Sequence, residues 1–201
     1  MKIIDAKKLI FNHLQESARV KELTKESCCE VIEAAALMIA SNMSTGGKLM
    51  LCGNGGSAAD CQHIAAEFTS VLRQDFPRPG LPAIALTTDT SFITARGNDY
   101  GYDGIFARLV EALGKPGDVL IGISTSGNSK NVFLALAEAA QRGVQTVAMT
   151  GEGGGRLAEV ANIVIKVPST KVQYIQETHI AIGHIICQIV EECLFRKDQE
   201  K

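Results

Sequence analysis

Apolar positions along the chain fall first into two helical patterns and then into short blocks. Residues 3–22 are charged, with an apolar stripe at Ile3, Leu9, Ile10 and Leu14. Thr24 reads as the N-cap of a second helix running to residue 44, which Gly46-Gly47 ends. The period then changes. Short apolar runs occupy 48–52, 81–86, 118–123, 144–149 and, more weakly, 163–167. Helix-like segments near 57–73, 103–113, 128–142 and 154–160 separate them, and a long helix is predicted over 172–195. Apolar strands alternating with helices predict βαβ units and a parallel sheet covered on both faces. The expected fold is therefore α/β: a three-layer αβα sandwich with a five-stranded parallel sheet. A helical extension over 1–45 precedes a single domain over 46–201. The stretch 74–80, with Pro77 and Pro79, reads as a surface loop.

Composition narrows the function classes. The chain has 201 residues, 46% hydrophobic and 21% charged, enough to bury a core in one domain. Twenty Lys and Arg oppose 22 Asp and Glu, for a net charge of -2. That balance argues against a nucleic-acid stripe or a polybasic membrane anchor. The apolar C-terminal stretch is interrupted by His184 and Gln188, and charge precedes any signal-like apolar run, so no membrane span or leader is expected. Six cysteines without a C-x-x-C pair read as reduced thiols in a cytoplasmic protein.

In an open parallel sheet, ligands collect beyond the carboxyl ends of the strands. Here those ends carry Gly53-Asn54-Gly55-Gly56-Ser57-Ala58, Thr87-Thr88-Asp89-Thr90-Ser91, Ser124-Thr125-Ser126-Gly127-Asn128-Ser129 and Thr150-Gly151-Glu152-Gly153-Gly154-Gly155. Such residues also serve as ordinary N-caps. The third loop has more hydroxyls than capping needs and favours a phosphate. The first loop formally fits G-x-G-x-x-G/A, but the acidic residue expected at the next strand end is missing, and no P-loop occurs. A phosphorylated small molecule therefore fits better than a nucleotide cofactor.

Asp60, His63 and Glu67 follow the glycine loop at i, i+3, i+7 and fall within roughly 60° of one helix face. This spacing suits a metal site or an acid–base pair, and equally a solvated polar stripe with an ion pair. Gln176, Ile180 and His184 form an i, i+4, i+8 ridge on the last helix, whereas His179 is rotated by roughly 140° from His184. His184 sits among isoleucines. It is either a satisfied core histidine or a catalytic imidazole, and Gln176 could bond a substrate or complete a metal site. His13, on the polar first helix, reads as a surface residue.

Several stretches together resemble the phosphoheptose isomerases, a branch of the sugar-isomerase (SIS) domain family. They are Cys52-Gly53-Asn54-Gly55-Gly56-Ser57-Ala58-Ala59-Asp60 with Gln62-His63-Ile64-Ala65-Ala66-Glu67-Phe68, Arg78-Pro79-Gly80-Leu81-Pro82-Ala83, and Gly97-Asn98-Asp99-Tyr100-Gly101-Tyr102. The stretches 117–129 and 175–184 complete the set, so the likeness spans nearly the whole chain.

The resemblance implies interconversion of D-sedoheptulose 7-phosphate and D-glycero-D-manno-heptose 7-phosphate, the first step toward nucleotide-activated heptoses of bacterial surface polysaccharide. It implies that Ser57, Ser124, Thr125, Ser126 and Ser129 hold the phosphate and neighbouring hydroxyls, and that Asn54, Gly55, Gly56, Asn98 and Asp99 contact the sugar. His63, Glu67, Gln176 and His184 match the zinc-binding positions of family members, and Glu67 and His184 match the acid–base pair. It further implies a homotetramer whose active sites draw on more than one subunit. Many members carry an arginine where this chain has Val71, and Arg73 could take its place. Two alternatives stand beside this. A relative that binds the replication initiator has lost catalytic residues, whereas His63, Glu67 and His184 are all present here. An isomerase of the same fold for another sugar phosphate would differ in pocket size, which sequence does not measure.

Overall fold

The computed structural model describes residues 5–199. Ile3 of the predicted stripe lies outside them. Five parallel strands form one sheet in the order β2-β1-β3-β4-β5: β1 Leu49–Gly53, β2 Ala83–Ala85, β3 Val119–Ile123, β4 Gln145–Gly151 and β5 Ile163–Val167. The helices are α1 Ala6–Ser44, α2 Gly56–Thr69, α3 Thr90–Tyr100, α4 Ile105–Leu113, α5 Lys130–Gln141 and α6 Val172–Gln199.

The strand alternation builds the two faces. Leu49 and Leu51 of β1, Ile121 and Ile123 of β3 and Met149 of β4 point to one side and pack with α1, α2 and α6. Met50, Cys52, Leu120 and Ala148 point to the other and pack with α4 and α5. The central strands are buried on both faces, which is why they read as unbroken apolar blocks. β2 is one of the two edge strands and is only three residues long; Pro82 just before it has no N–H to give a ladder, though its carbonyl accepts from Leu49 N–H.

Three elements differ from the sequence expectation. The two predicted N-terminal helices are one helix of 39 residues, capped by Asp5, whose side chain accepts from Lys8 N–H. Thr24 is not a cap: it is buried mid-helix, and its hydroxyl donates to the Val20 carbonyl at 2.8 Å. The segment predicted as a helix over 154–160 is a 3₁₀ turn, Gly155–Glu159. An unpredicted helix, α3, follows β2 with Asp89 as its cap. None of its residues is buried, so it lacks the apolar stripe that would announce it.

Within α6, the stretch Val172–Arg196 is long and apolar enough, by length and composition, to cross a membrane. In the fold its Ile175, Ile182, Ile186 and Val190 are buried in the core shared with α1 and α2.

Candidate active site

The strand order reverses direction between β1 and β3, and the loops after these two strands face each other across that point. Gly53 ends β1 where three segments converge. A Cβ there would lie 2.9 Å from Ser57 Cβ and 3.1 Å from the Ile123 carbonyl oxygen, so only glycine fits. Ser57, in the first turn of α2, is thus set beside the end of β3, one residue before Ser124. Gly55 takes a positive φ of 56° to turn the chain into α2, and neither α2 nor α5 has its start capped by a side-chain hydrogen bond. Ser129 holds the N-cap position of α5, yet its Oγ turns to Ser124 Oγ at 2.9 Å, with Ser126 Oγ 3.4 Å from Ser124 Oγ. The hydroxyls of this loop therefore converge on one another beside a helix start, as an anion cradle requires. Thr125 anchors the same loop to β4, its carbonyl accepting from Gly151 N–H at 3.0 Å. Gly127 (φ 67°) packs so tightly on the β4 loop that an added Cβ would stand 2.1 Å from the Gly154 carbonyl oxygen.

The acid and imidazole groups come from helices α2 and α6. His63 Nε2 lies 3.1 Å from Glu67 Oε1 one turn further along α2, and 3.0 Å from His184 Nε2 on α6. The two rings are 5.0 Å apart between centroids and tilted by 53°. One donor atom each from His63, Glu67 and His184 all lie within 4.8 Å of one another. Gly183, beside His184, allows the close approach: a Cβ there would stand 2.5 Å from Ile64 Cδ1 on α2. Asp60 shares the helix face but stands outside this cluster. Its Oδ2 is buried without a hydrogen-bond partner among the described residues, and burial raises its carboxyl above the ordinary range.

Gln176 reaches the first glycine loop: a Cβ on Gly56 would lie 2.6 Å from its Nε2. The ridge on α6 thus touches the loop at Gln176 and the α2 pair at His184. His179 points elsewhere, as its rotation predicts. It is fully buried, with Nε2 3.1 Å from the Thr150 carbonyl oxygen, and burial pushes its imidazole down to about 4. His13 is half-exposed, with Nε2 2.7 Å from Glu177 Oε1 on α6.

Asn98 and Asp99 lie exposed at the last turn of α3, where Asn98 Nδ2 donates to Asp99 Oδ1 at 2.8 Å. The link from this segment to the first loop is Tyr102, whose hydroxyl donates to Asn54 Oδ1 at 3.2 Å. Asn54 and Asn131 exchange two amide hydrogen bonds of 2.9 Å, bridging the loop after β1 to the start of α5. Tyr102 belongs to a stretch that carries the resemblance but is given no role by it, and Asn131 carries no motif. The available signal for Asn131 was a polar residue opening the apolar stripe of α5; it is buried, and its Oδ1 also accepts from Val132 N–H. Arg73 stacks on Phe76 and pairs with Glu192 at 2.8 Å, which ties it to α6.

The donor chemistry of the cluster suits zinc: two imidazole nitrogens and a carboxylate oxygen, all within 4.8 Å of one another, make up a known zinc donor set.

Comparison with known proteins identifies the family. A family model described as the SIS domain matches residues 12–151. A phosphoheptose isomerase from Aneurinibacillus thermoaerophilus is 52% identical over 189 residues, covering 93% of this chain and 94% of that protein. A phosphoheptose isomerase from Nitratidesulfovibrio vulgaris is 47% identical over 191 residues, covering 95% and 91%. Among solved structures, the phosphoheptose isomerase of Neisseria gonorrhoeae superimposes with a TM-score of 0.87 at 42% identity, covering 93% of this chain and 99% of that one. The Francisella tularensis enzyme gives 0.89 at 38% identity, covering 94% and 100%. The chain belongs to the SIS domain family, in its phosphoheptose isomerase branch, and is a sugar-phosphate isomerase.

Proposed function

We propose that the enzyme interconverts D-sedoheptulose 7-phosphate and D-glycero-D-manno-heptose 7-phosphate in the cytoplasm, opening a route to nucleotide-activated heptoses. The observation that carries this reading is the meeting of Glu67 with His63 and His184, from two helices, with Gln176 of the same α6 ridge set against the glycine loop after β1. The six free thiols suit a reducing compartment.

Aldose–ketose exchange moves a proton between C1 and C2 while the two oxygens exchange protons through a cis-enediol. Ser57, Ser124, Thr125, Ser126 and Ser129 hold the phosphate, and this remote binding positions the reacting carbons. Asn54, Gly55 and Gly56 contact the sugar, as do Asn98 and Asp99 of α3, a segment tied to the first loop through Tyr102. The Glu67 carboxylate takes the proton from one carbon and returns it to the next. His184 carries protons at the oxygens. His63, Glu67, Gln176 and His184 would hold zinc, which when bound supplies Lewis-acid polarisation at the sugar oxygens.

The enzyme acts as a homotetramer with sites shared between subunits. A groove of about 470 Å³ between α1 and α6, lined by Ile32, Ala181, Ile182, Ile185 and Ile189, supports self-association. So do Leu9, Ile10, Phe11 and Leu14, each more than half exposed on the first turns of α1.

The test is a coupled assay with sedoheptulose 7-phosphate, run with and without a chelator. Heptose 7-phosphate should form, and chelation should slow it. No product under either condition would refute the proposal.

A further inference from the structure

The loop between α2 and β2, predicted as plain surface, returns a fully buried side chain to the back of the site. The Arg78 guanidinium and the Glu191 carboxylate are both 0% exposed and pair at 2.9 Å through Nε. The remaining arms of Arg78 reach the end of α2. One terminal nitrogen donates to the Glu67 carbonyl at 2.7 Å, and the other to the Phe68 carbonyl at 2.8 Å and the Ser70 carbonyl at 3.1 Å. These are carbonyls a helix C-terminus leaves without intrahelical partners, and a cation there also suits the helix dipole.

Glu191 stands seven residues after His184, on the same face of α6. It accepts a further bond from Leu72 N–H at 3.3 Å, and Arg73 Nε lies 3.7 Å from its other oxygen. One guanidinium therefore grips α2 at the very residue that offers the Glu67 carboxylate, and grips α6 two turns beyond His184. A buried ion pair adds little net stability over an apolar pair of the same volume, and in some proteins its role is to fix one arrangement over others. What this one fixes is the placement of α2 against α6, and so the spacing of Glu67 and His63 from His184.

We infer that Arg78, acting through Glu191, is a positioning residue that sets the α2–α6 spacing on which the Glu67–His63–His184 cluster depends. The inference rests on the functional reading above. It predicts a specific division of effects. The phosphate loop belongs to β3 and α5 and is not held by Arg78, so substrate binding should survive while turnover and metal affinity fall.

The test compares wild type with the Arg78→Met/Glu191→Leu double variant, which removes both buried charges together and keeps their volume. Lys48→Met is the control, because it breaks an ion pair to the buried Asp118 at the opposite end of the sheet. Melting temperature, kcat and KM on sedoheptulose 7-phosphate, and zinc affinity by competition with a chromogenic chelator are measured on each. The double variant should fold, lose about tenfold or more in kcat with KM within about twofold, and lose about tenfold or more in zinc affinity. Lys48→Met should lose melting temperature alone. If the double variant does not fold, Arg78→Lys replaces it. Its single ammonium can meet Glu191 but cannot also span the α2 carbonyls, and the same division of effects is expected. A folded variant with kcat and zinc affinity within about twofold of wild type overturns the inference. So does an equal fall of kcat in Lys48→Met. A wild-type protein that neither turns over the sugar phosphate nor binds zinc overturns the functional reading and this role together.

Discussion

His184 on α6 sets its Nε2 3.0 Å from Nε2 of His63 on α2, across 121 residues of chain. Five residues before it, His179 faces the opposite way and is sealed under β4. The same residue type on one helix therefore occupies two separate environments, and substitution should separate their roles. His184→Gln should lower kcat by about 10²–10⁴, the usual range for a lost acid–base group. His179→Gln should keep most of its turnover. Steady-state assays of the two purified variants check this, and equal losses would contradict the helix-face assignment.

His179 also gives the fold a pH dependence. Its imidazole is depressed from 6.5 to about 4 in the folded protein because burial disfavours the charged form. Above pH 6.5 it is neutral both folded and unfolded and contributes nothing to the slope. As pH falls from 6.5 toward 4, the unfolded chain takes up a proton that the folded one refuses, and stability is lost, on the order of 3 kcal/mol in all. Urea melts of wild type and His179→Gln across this window should show the wild type falling more steeply. Parallel curves would mean the site does not titrate as its burial requires.

Gly56 and Gln176 form a second contact between α6 and the first loop. Gly56→Ala would place a Cβ 2.6 Å from Gln176 Nε2, and the amide must then move away. Displacing it should lower kcat/KM by roughly tenfold to a hundredfold with little change in melting temperature, since the obstructed atom ends a flexible side chain. Unchanged kinetics would remove Gln176 from the site.

Gly127 tests the phosphate loop. Its alanine variant meets backbone, the Gly154 carbonyl oxygen at 2.1 Å, and needs a positive φ as well. Both loops would have to shift, so KM for the sugar phosphate should rise by about tenfold or more and the melting temperature should fall. A wild-type KM would place the phosphate elsewhere.

Much of the fold was legible because central strands buried on both faces leave unbroken apolar blocks, as in Leu49–Gly53 and Val119–Ile123. The His63–Glu67 pairing followed from helix periodicity alone. The join of α1 was hidden at Thr24, because a threonine that caps a helix and one that bonds back to the carbonyl four residues earlier look alike in sequence. α3 was hidden because none of its side chains is buried. Arg78 looked like loop, between Pro77 and Pro79. The counter-signal was distant: Glu191, an acid inside the apolar stripe of α6, must have a buried cation as partner, but spacing along the chain cannot say which. Tyr102 and Asn131 depend on the approach of loops that local pattern does not encode.

The most direct test of the central claim is Glu67→Gln, assayed for turnover of sedoheptulose 7-phosphate and, by calorimetry, for binding of the same sugar phosphate. Turnover should fall by about 10²–10⁴ while binding stays measurable, because the proposed function assigns the phosphate to the serine loop and not to the carboxylate. A variant that retained most of its turnover would contradict the account.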